Sequence, residues 1–439
     1  MPKTSGNSLQ QTYLSVRERI LSTISDLYEQ EDGILSFSNS LSLSQFEAPR
    51  KKLSIVMLGA HSTGKSSLCN YLANSEVQKT GTAITTQDIS VICSGKRRES
   101  LTGKLALKLF PWLSPMVEKD SEILKHLTCE VSPSQHKSFP LLAIFDTPGI
   151  VDSLEFSFDI DSALNHLAQI ADVILVIFDP VQKALAPRAM QVISRIASVY
   201  PEKLKFYISK SDTVNDSNDL QKVLTQTTQA LAQHLPHIKD LTVETLFVPS
   251  DRNKNSTIPN SINALTQNID ATIGRRVQSA LTRLEDDLKM IRDAVEKKKR
   301  ENNMAKKFNS RRWYLEFLFK LPLLLILFAF LFKSAVNQDS SLVLFNHVVA
   351  KVPTGLSTFF FGILSAIGFL CKRSFGRKVL FSLMFVLLFV GFVLPKFLLK
   401  KKVVMDKKQV ETLTGIERKI SEFSSIQEEL LNDFLKETL

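Results

Sequence analysis

The sequence predicts an α/β domain built on a parallel sheet, joined to an α-helical bundle stalk and followed by C-terminal transmembrane helices. Three observations predict it. Short apolar runs alternate with helical patterns between Lys51 and Pro249, single apolar stripes mark helices on either side of that region, and long apolar stretches follow residue 310. Alternation of strand and helix is the rhythm of a sheet covered on both faces.

The 439 residues allow two or three domains at about 150 residues each. The formal charge of +11 suggests an anionic partner until it is mapped. Between Lys297 and Lys408 there are 21 Lys and Arg against 4 Asp and Glu, so the rest of the chain carries −6. The basicity therefore belongs to the apolar region and its flanks, as expected of anchoring against anionic lipid, and nucleic acid is not an expected partner. Cys69, Cys93, Cys129 and Cys371 show no C-x-x-C spacing, which indicates neither a zinc site nor a disulfide framework. The opening "MPKTSGNSLQQ" lacks the charged-then-apolar pattern of a signal peptide, so the first 300 residues are expected to stay on the side where they are made.

Taken in order, Leu9, Tyr13, Val16, Ile20, Ile24 and Leu27 recur at steps of three and four and predict an N-terminal stalk helix within residues 1–32. A Ser-rich connector, 33–49, leads to the α/β domain, 50–258. Its strands are read from "KKLSIVMLG", "LLAIFD", "DVILVIFD", "LKFYIS" and "VETLFVP", and one of its helices from Arg188 to Val199. Val277, Leu281, Leu284, Leu288, Ile291 and Val295 form a heptad-like seam in a second stalk helix, 259–310. Leu413, Ile416, Ile420, Phe423, Ile426, Leu430 and Phe434 stripe a third, within 403–439. Three one-faced helices bury their stripes on one another as a bundle, or pack separately on the α/β domain.

The membrane region, 311–402, holds three candidate spans, 313–332, 352–371 and 379–399. The first carries Glu316, Lys320 and Pro322, which suit the interface better than the bilayer centre. Loop charge does not decide topology, since "KRSFGRK" and "KFLLKKK" are both basic. An even number of crossings is required if the C-terminal helix joins the bundle, and two are favoured.

The chemistry sits in three motifs, each at the end of an apolar run. "GAHSTGKSS", Gly59 to Ser67, has the G-x-x-x-x-G-K-[ST] spacing of a P-loop between a strand and a helix. Backbone N–H groups of Gly59, Ala60, His61, Ser62, Thr63, Gly64, Lys65, Ser66 and Ser67 would face nucleotide phosphates, with Lys65 reaching the β- and γ-phosphates and Ser66 holding Mg²⁺. In "FDTPG" the Asp146 carboxylate would reach the Mg²⁺ shell and the Gly149 N–H would sense the γ-phosphate. In "ISKSD" Lys210 would lie along a purine and Asp212 would accept hydrogen bonds from guanine, although Ser209 stands where N/T-K-x-D has Asn or Thr. Thr85 and Thr86 in "TAITTQD" suit a switch segment in which Thr86 completes the Mg²⁺ shell. The fold expected is thus an α/β P-loop NTPase of the GTPase-like kind, taking GTP or ATP with Mg²⁺.

From about Asp26 to Val214 the chain resembles the dynamin superfamily, most of all the nucleotide domain of EH-domain-containing (EHD) proteins and sarcalumenin. The resemblance rests on "STGKSS", "ITTQDISVICSG", "IFDTPGI" and "FDIDSALNHLAQIADVILVIFDP". It implies a mechanochemical NTPase that forms nucleotide-dependent homodimers or oligomers on a lipid bilayer. It also implies catalytic roles for Ser62, beside the attacking water, and for His61, which stands where the family carries a catalytic Gln or its equivalents, with Thr85 and Thr86 in the switch. EHD proteins are ATP-selective, so ATP stays open beside GTP. No D-x-D-x-D-G calcium loop is present, and the layout of stalk and membrane region is similar to that of mitofusins and atlastins. The expected protein is an integral membrane GTPase with its nucleotide domain facing the cytosol, acting in membrane remodelling, tethering or fusion. The alternatives are a slow nucleotide switch or receptor that recruits partners, and a channel regulated by its head.

Overall fold

The computed structural model describes residues 15–43, 46–81, 87–133, 136, 138–150, 156–180, 186–214, 217–250, 253, 258–336, 382, 386, 389 and 400–438. The chain divides into two compact units, Met1–Lys289 with Glu422–Leu439, and Met290–Ser421.

The first unit opens with α1 (Val16–Glu29), whose N-cap Ser15 accepts a hydrogen bond from the Glu18 N–H at 3.3 Å. Leu9 and Tyr13 of the expected stripe lie outside the described residues. Residues 33–49, read as a connector, contain a helix, α2 (Ile34–Leu41). The serines misled that reading. Ile34, Phe37 and Leu41 recur at helical spacing and are buried, while Ser38 and Ser40 turn their hydroxyls back onto the carbonyls of Leu35 and Phe37 at 2.9 and 2.8 Å.

The sheet follows: β1 (Leu53–Gly59), α3 (Lys65–Ala73), β2 (Ile89–Ser94), β3 (Glu99–Thr102), α4 (Lys104–Leu109), α5 (Ser114–Lys119), β4 (Leu127–Ser132), β5 (Leu142–Asp146), α6 (Ile160–Ile170), β6 (Val173–Phe178), α7 (Pro187–Val199), β7 (Leu204–Ile208), α8 (Ser217–His234) and β8 (Val243–Thr245). Its strand order is β3-β4-β2-β5-β1-β6-β7-β8. The expectation of a parallel sheet holds from β5 through β8, but β2 runs antiparallel to β5, and β3 antiparallel to β4. Alternating "LTCEVS" and the short "ESLT" lack the continuous apolar run that betrays a fully buried strand, which is why β3 and β4 escape a search for such runs. β1 and β5 are buried along their whole length. β1 lies between β5 and β6, parallel to both, so its C-terminal end opens at the point where the strand order diverges, the usual place for a ligand crevice.

Among the described residues two long helices follow the sheet, α9 (Ile262–Val336) and α10 (Lys407–Thr438). Within the first unit the Tyr28 hydroxyl of α1 donates to Asp287 of α9 at 2.6 Å, and Arg19 of α1 pairs with Asp433 of α10 at 2.6 Å. Phe37 of α2 stacks on buried Phe423 of α10, with centroids 6.1 Å apart. Arg276 of α9 reaches Asp172 at the start of β6 at 3.0 Å, and Asp172 also accepts from the Ser54 N–H at 2.8 Å, which ties the helix to the sheet. Burial raises the pKa of Tyr28, and its bond to Asp287 raises it further.

In the second unit, Asn309 and Lys402 exchange hydrogen bonds. The Asn309 amide donates to the Lys402 carbonyl at 2.8 Å and accepts from the Lys402 N–H at 3.0 Å. Asn302 accepts from the Met405 N–H at 3.0 Å, and Lys299 pairs with Glu417. Among the described residues no helix is long and apolar enough to cross a membrane. Of the stretches read as spans, 313–332 falls within α9, 352–371 lies outside the described residues, and of 379–399 only Ser382, Val386 and Phe389 are described. The expectation of transmembrane helices therefore finds no support among the described residues and rests on the sequence alone. Trp313, Tyr314, Phe317, Leu318, Leu321 and Leu324 are exposed.

Replacing Phe423 by Ala removes a side chain that is 1 % exposed and leaves Phe37 facing a void. The expected cost is about 3–5 kcal/mol of stability. Thermal unfolding checks this, and nucleotide affinity should be unchanged.

Candidate nucleotide-binding site

The loop that leaves β1 cannot be built from ordinary backbone. Gly59, Ser62 and Gly64 have φ of +155°, +60° and +87°. A side chain at Gly59 would put a Cβ 2.3 Å from the Ile177 carbonyl oxygen of the neighbouring strand. Left-handed residues set among right-handed ones curl the chain so that successive N–H groups face one concavity, which continues into the N-terminus of α3 at Lys65. A cleft of about 290 Å³ lies there, lined by the residues from His61 to Ser67 together with Thr80, Gly81, Gly149 and Lys210. Thr80 and Gly81 went unread in the sequence, where only their place just before "TAITTQD" could have flagged them.

Lys65 is buried and donates to the carbonyls of Gly59 and Ala60 at 3.2 and 2.8 Å. Burial lowers its pKa, and Asp146 works against that. Asp146 is fully buried at the end of β5, where Met57 of β1 is its register partner. Its Oδ2 accepts from the Ser66 hydroxyl at 2.6 Å, while its Oδ1 is buried with no hydrogen-bond partner among the described residues. Burial lifts the Asp146 carboxyl above the usual carboxylate range, against the pull of Lys65 and Ser66. A buried carboxylate oxygen left over beside a hydroxyl is a hard-oxygen donor set, and it fits Mg²⁺, which takes one or two protein oxygens and fills its shell from phosphate and water. Among the described residues no three His, Cys, Asp or Glu side chains gather into a metal site of their own.

The segment after Asp146 is pressed against the loop. The Thr147 hydroxyl donates to the Met57 carbonyl at 2.6 Å, and the Ile150 N–H donates to the Gly59 carbonyl at 3.2 Å. Gly149 packs so closely that a Cβ there would stand 2.7 Å from the Cα of His61. His61 accordingly turns its ring inward, where Nε2 is buried without a hydrogen-bond partner among the described residues. Thr85 and Thr86 lie outside the described residues.

At the end of β7, Ser209 takes a structural part. Its hydroxyl donates to the Thr63 carbonyl at 2.6 Å and lies 3.0 Å from that of Phe178, joining the phosphate loop to two strands. Lys210, in the left-handed region with φ of +49°, donates to the Ser62 carbonyl and pairs with buried Asp179 at 2.9 Å. Asp212 accepts from the Asn253 side-chain amide at 3.0 Å, and that amide also donates to the Val248 carbonyl at 2.9 Å. Asn253 lies beyond β8 in a polar stretch with no motif, and sequence reasoning had no handle on it. Gly59 to Ser67, Asp146, Gly149 and Lys210 thus meet at one edge of the sheet, with Asp212 beside Lys210.

Residues 54–210 match the family model described as 50S ribosome-binding GTPase. No curated protein matches the chain in sequence. Among solved structures, a chain of an oligomerised bacterial dynamin pair, described as a mechanism for long-range sensing and tethering of membranes, is 14 % identical, with 95 % of this chain and 74 % of that chain covered at a TM-score of 0.40. Era of Aquifex aeolicus bound to GDP and aluminium fluoride is 12 % identical over 49 % of this chain and 55 % of its own, with a TM-score of 0.29. The elongation factor SelB of Methanococcus maripaludis is 12 % identical over 51 % and 34 %, with a TM-score of 0.28. The family match over residues 54–210 and the eight-stranded sheet describe this part of the chain as an α/β P-loop GTPase domain.

Proposed function

We propose that the protein is a membrane-anchored, dynamin-like GTPase that hydrolyses GTP with Mg²⁺ and uses the cycle to tether or remodel membranes. The observation that carries the reading is the buried Asp146 carboxylate with one oxygen on Ser66 and the other unpartnered, set beside a buried Lys65 under a loop of inward-curled N–H groups. Such a site is costly to fold and is repaid when a phosphate–cation pair enters it. Ser66 and Asp146 would hold the cation, with Thr86 from the switch. The cation would neutralise charge on the phosphates. Lys65 would exchange its carbonyl partners for phosphate oxygens, the Gly149 N–H would report the terminal phosphate, and Ser62 and His61 would orient the attacking water. The part given to His61 is supported by its place in the lining of the cleft and by its close approach to Gly149.

Base recognition falls to Lys210 and Asp212, with Asn253 holding the Asp212 carboxylate in place. Anchoring is supported by the basic flanks of the apolar region and by the Asn309–Lys402 exchange, which brings together the chain on either side of residues 311–401. A chain whose entry and exit meet has crossed an even number of times, and both termini are then cytosolic together with the nucleotide domain. Homodimers or oligomers formed through nucleotide-bound heads would pass the change to α9, which Arg276 links to the sheet at Asp172.

The functional test is hydrolysis by the full chain in detergent and in liposomes across a range of protein concentrations. Turnover per protomer is expected to rise with concentration and with lipid. A flat, slow rate in both would leave a nucleotide switch that recruits partners. In calorimetric titration, Lys65→Ala is expected to abolish GTP binding, and Asp212→Asn to weaken it by about 1–3 kcal/mol while sparing any ATP binding. Wild-type GTP affinity in the Asp212 variant would make the site adenine-selective.

The raised pKa of Asp146 sets a pH dependence. Its carboxylate is needed for Mg²⁺, so affinity for the magnesium–nucleotide complex is present above the raised pKa and lost as the pH falls through it. The decline should begin at a higher pH than an ordinary aspartate would give. In Asp146→Asn affinity should be weak throughout, with that acid limb absent.

A further inference from the structure

We propose that Cys93 and Cys129 are a peroxide-responsive thiol pair, a modification site at the edge of the sheet away from the nucleotide cleft. Cys93 lies on β2 and Cys129 on the adjacent parallel strand β4, where Cys129 is the register partner of Val91 and Cys93 that of Val131. Two residues along one strand return to the same face, so the two thiols are diagonal neighbours on one side of the sheet, with sulfurs 3.8 Å apart. The sulfurs are in van der Waals contact, and a diagonal pair, about 7–8 Å apart at Cα, closes to a disulfide with a small shift of the two strands as well as of the side chains.

Three features separate this pair from ordinary core cysteines. Cys93 lines a cavity of about 780 Å³ that is bounded by Glu29 of α1, by the chain from Ala48 to Lys52, and by Lys108 and Trp112. Cys129 is fully buried behind it and does not line that cavity, so one sulfur has a route for a small oxidant and the other does not. The half-buried Lys52 donates to the Ser94 hydroxyl at 2.9 Å and to the Pro140 carbonyl, which holds its ammonium near the C-terminal end of β2. The thiols also differ in acidity. The hydrogen bond from Cys129 lowers the pKa of Cys93, with Lys52 assisting and burial opposing, whereas that same bond and burial raise Cys129. Cys93 is thus the more acidic thiol and Cys129 the donor of the hydrogen bond between them.

The chemistry balances with a hydroperoxide as the oxidant. The Cys93 thiolate attacks one peroxide oxygen, the O–O bond breaks, and the other oxygen leaves and takes up a proton as water or an alcohol, giving a sulfenic acid on Cys93. Cys129 then gives up its proton as its sulfur attacks that of Cys93. The S–O bond breaks, hydroxide leaves with the proton as water, and a disulfide joins β2 to β4. Two thiols lose two electrons and the peroxide gains two. A dithiol reverses it by exchange. Lys52 acts on Cys93 through its charge as a positioning residue, and it lies in the chain joining α2 to β1, so oxidation would be felt where the stalk helices meet the α/β domain.

The experiment exposes the full chain to hydrogen peroxide, alkylates the remaining thiols and maps peptides by mass. The expected result is a single linked peptide pair joining Cys93 to Cys129, two hydrogens lighter than the separate peptides and restored by dithiothreitol, with Cys69 still free. In Cys129→Ser, dimedone is expected to trap a sulfenic acid at Cys93. In Cys93→Ser, Cys129 should stay unmodified. Lys52→Gln should slow Cys93 oxidation about tenfold, the change in reactive thiolate that one pKa unit gives, and Lys52→Arg should restore it. Absence of the linked pair, linkage through Cys69 or Cys371, or trapping at Cys129 rather than Cys93 would overturn the proposal. An unchanged rate in Lys52→Gln would overturn the part given to Lys52.

Discussion

Everything near the cleft is arranged around one buried carboxylate. Asp146 sits at the end of a strand with no exposed surface, in a place where an ionised group survives only if other charges and donors compensate it. Lys65 and the Ser66 hydroxyl do this in part, and one carboxylate oxygen remains uncompensated. The pairing of β1 with β5 is what allows it, because parallel register sets Met57 opposite Asp146 and thereby fixes the distance between the loop after one strand and the carboxylate ending the other. Thr147 then bonds back to Met57 and Ile150 to Gly59, so the segment after β5 is attached to the loop after β1. The close approach of Gly149 to the His61 backbone, which leaves no room for a side chain, adds to that attachment.

How much of this the sequence discloses depends on how local the signal is. The phosphate loop is legible because its chemistry is carried by consecutive residues between a strand and a helix, and the same holds for the DTPG segment. The parallel half of the sheet is legible because strands buried on both faces are continuous apolar runs. The wing formed by β2, β3 and β4 is much less so, because its outer strands are short, alternating or exposed and are defined by their partners. Asn253 shows the extreme case. Its role exists only because β8 lies beside β7 and brings a loop with no motif within 3.0 Å of Asp212. The helix α2 was hidden for another reason, that serines favour turns on average yet can be absorbed into a short helix by bonding to its own carbonyls.

The stalk depends on polar contacts as much as on apolar stripes. A stripe specifies that a helix has a partner but not which one. The choice is made by pairs such as Tyr28 with Asp287 and Arg19 with Asp433, which join positions distant in sequence and within the first unit set α1 against α9 and α10. Mispairing there would strand a partly buried carboxylate, a larger penalty than a shifted apolar contact. In the second unit the Asn309–Lys402 exchange is backbone-directed, so it fixes the separation of the two chain segments without depending on the side chain at position 402.

Ser209 bears on the base that the site selects. A motif read as letters counts serine as a departure from N/T-K-x-D, and so as evidence against guanine. In the folded chain its hydroxyl bridges the Thr63 carbonyl and the end of β6, a bond from β7 to the phosphate loop that a longer amide or a threonine hydroxyl can also supply. The position therefore serves to brace the loop. On the proposed reading, discrimination between bases would rest on the Asp212 carboxylate and on whatever holds it. Asn253 now occupies one of its oxygens, so guanine would use the remaining acceptor capacity or displace that amide. An adenine offers no such pair of donors at the same edge, and it would leave the Asp212–Asn253 bond undisturbed. On that reading base choice would be a competition for one carboxylate between the Asn253 amide and the nucleotide.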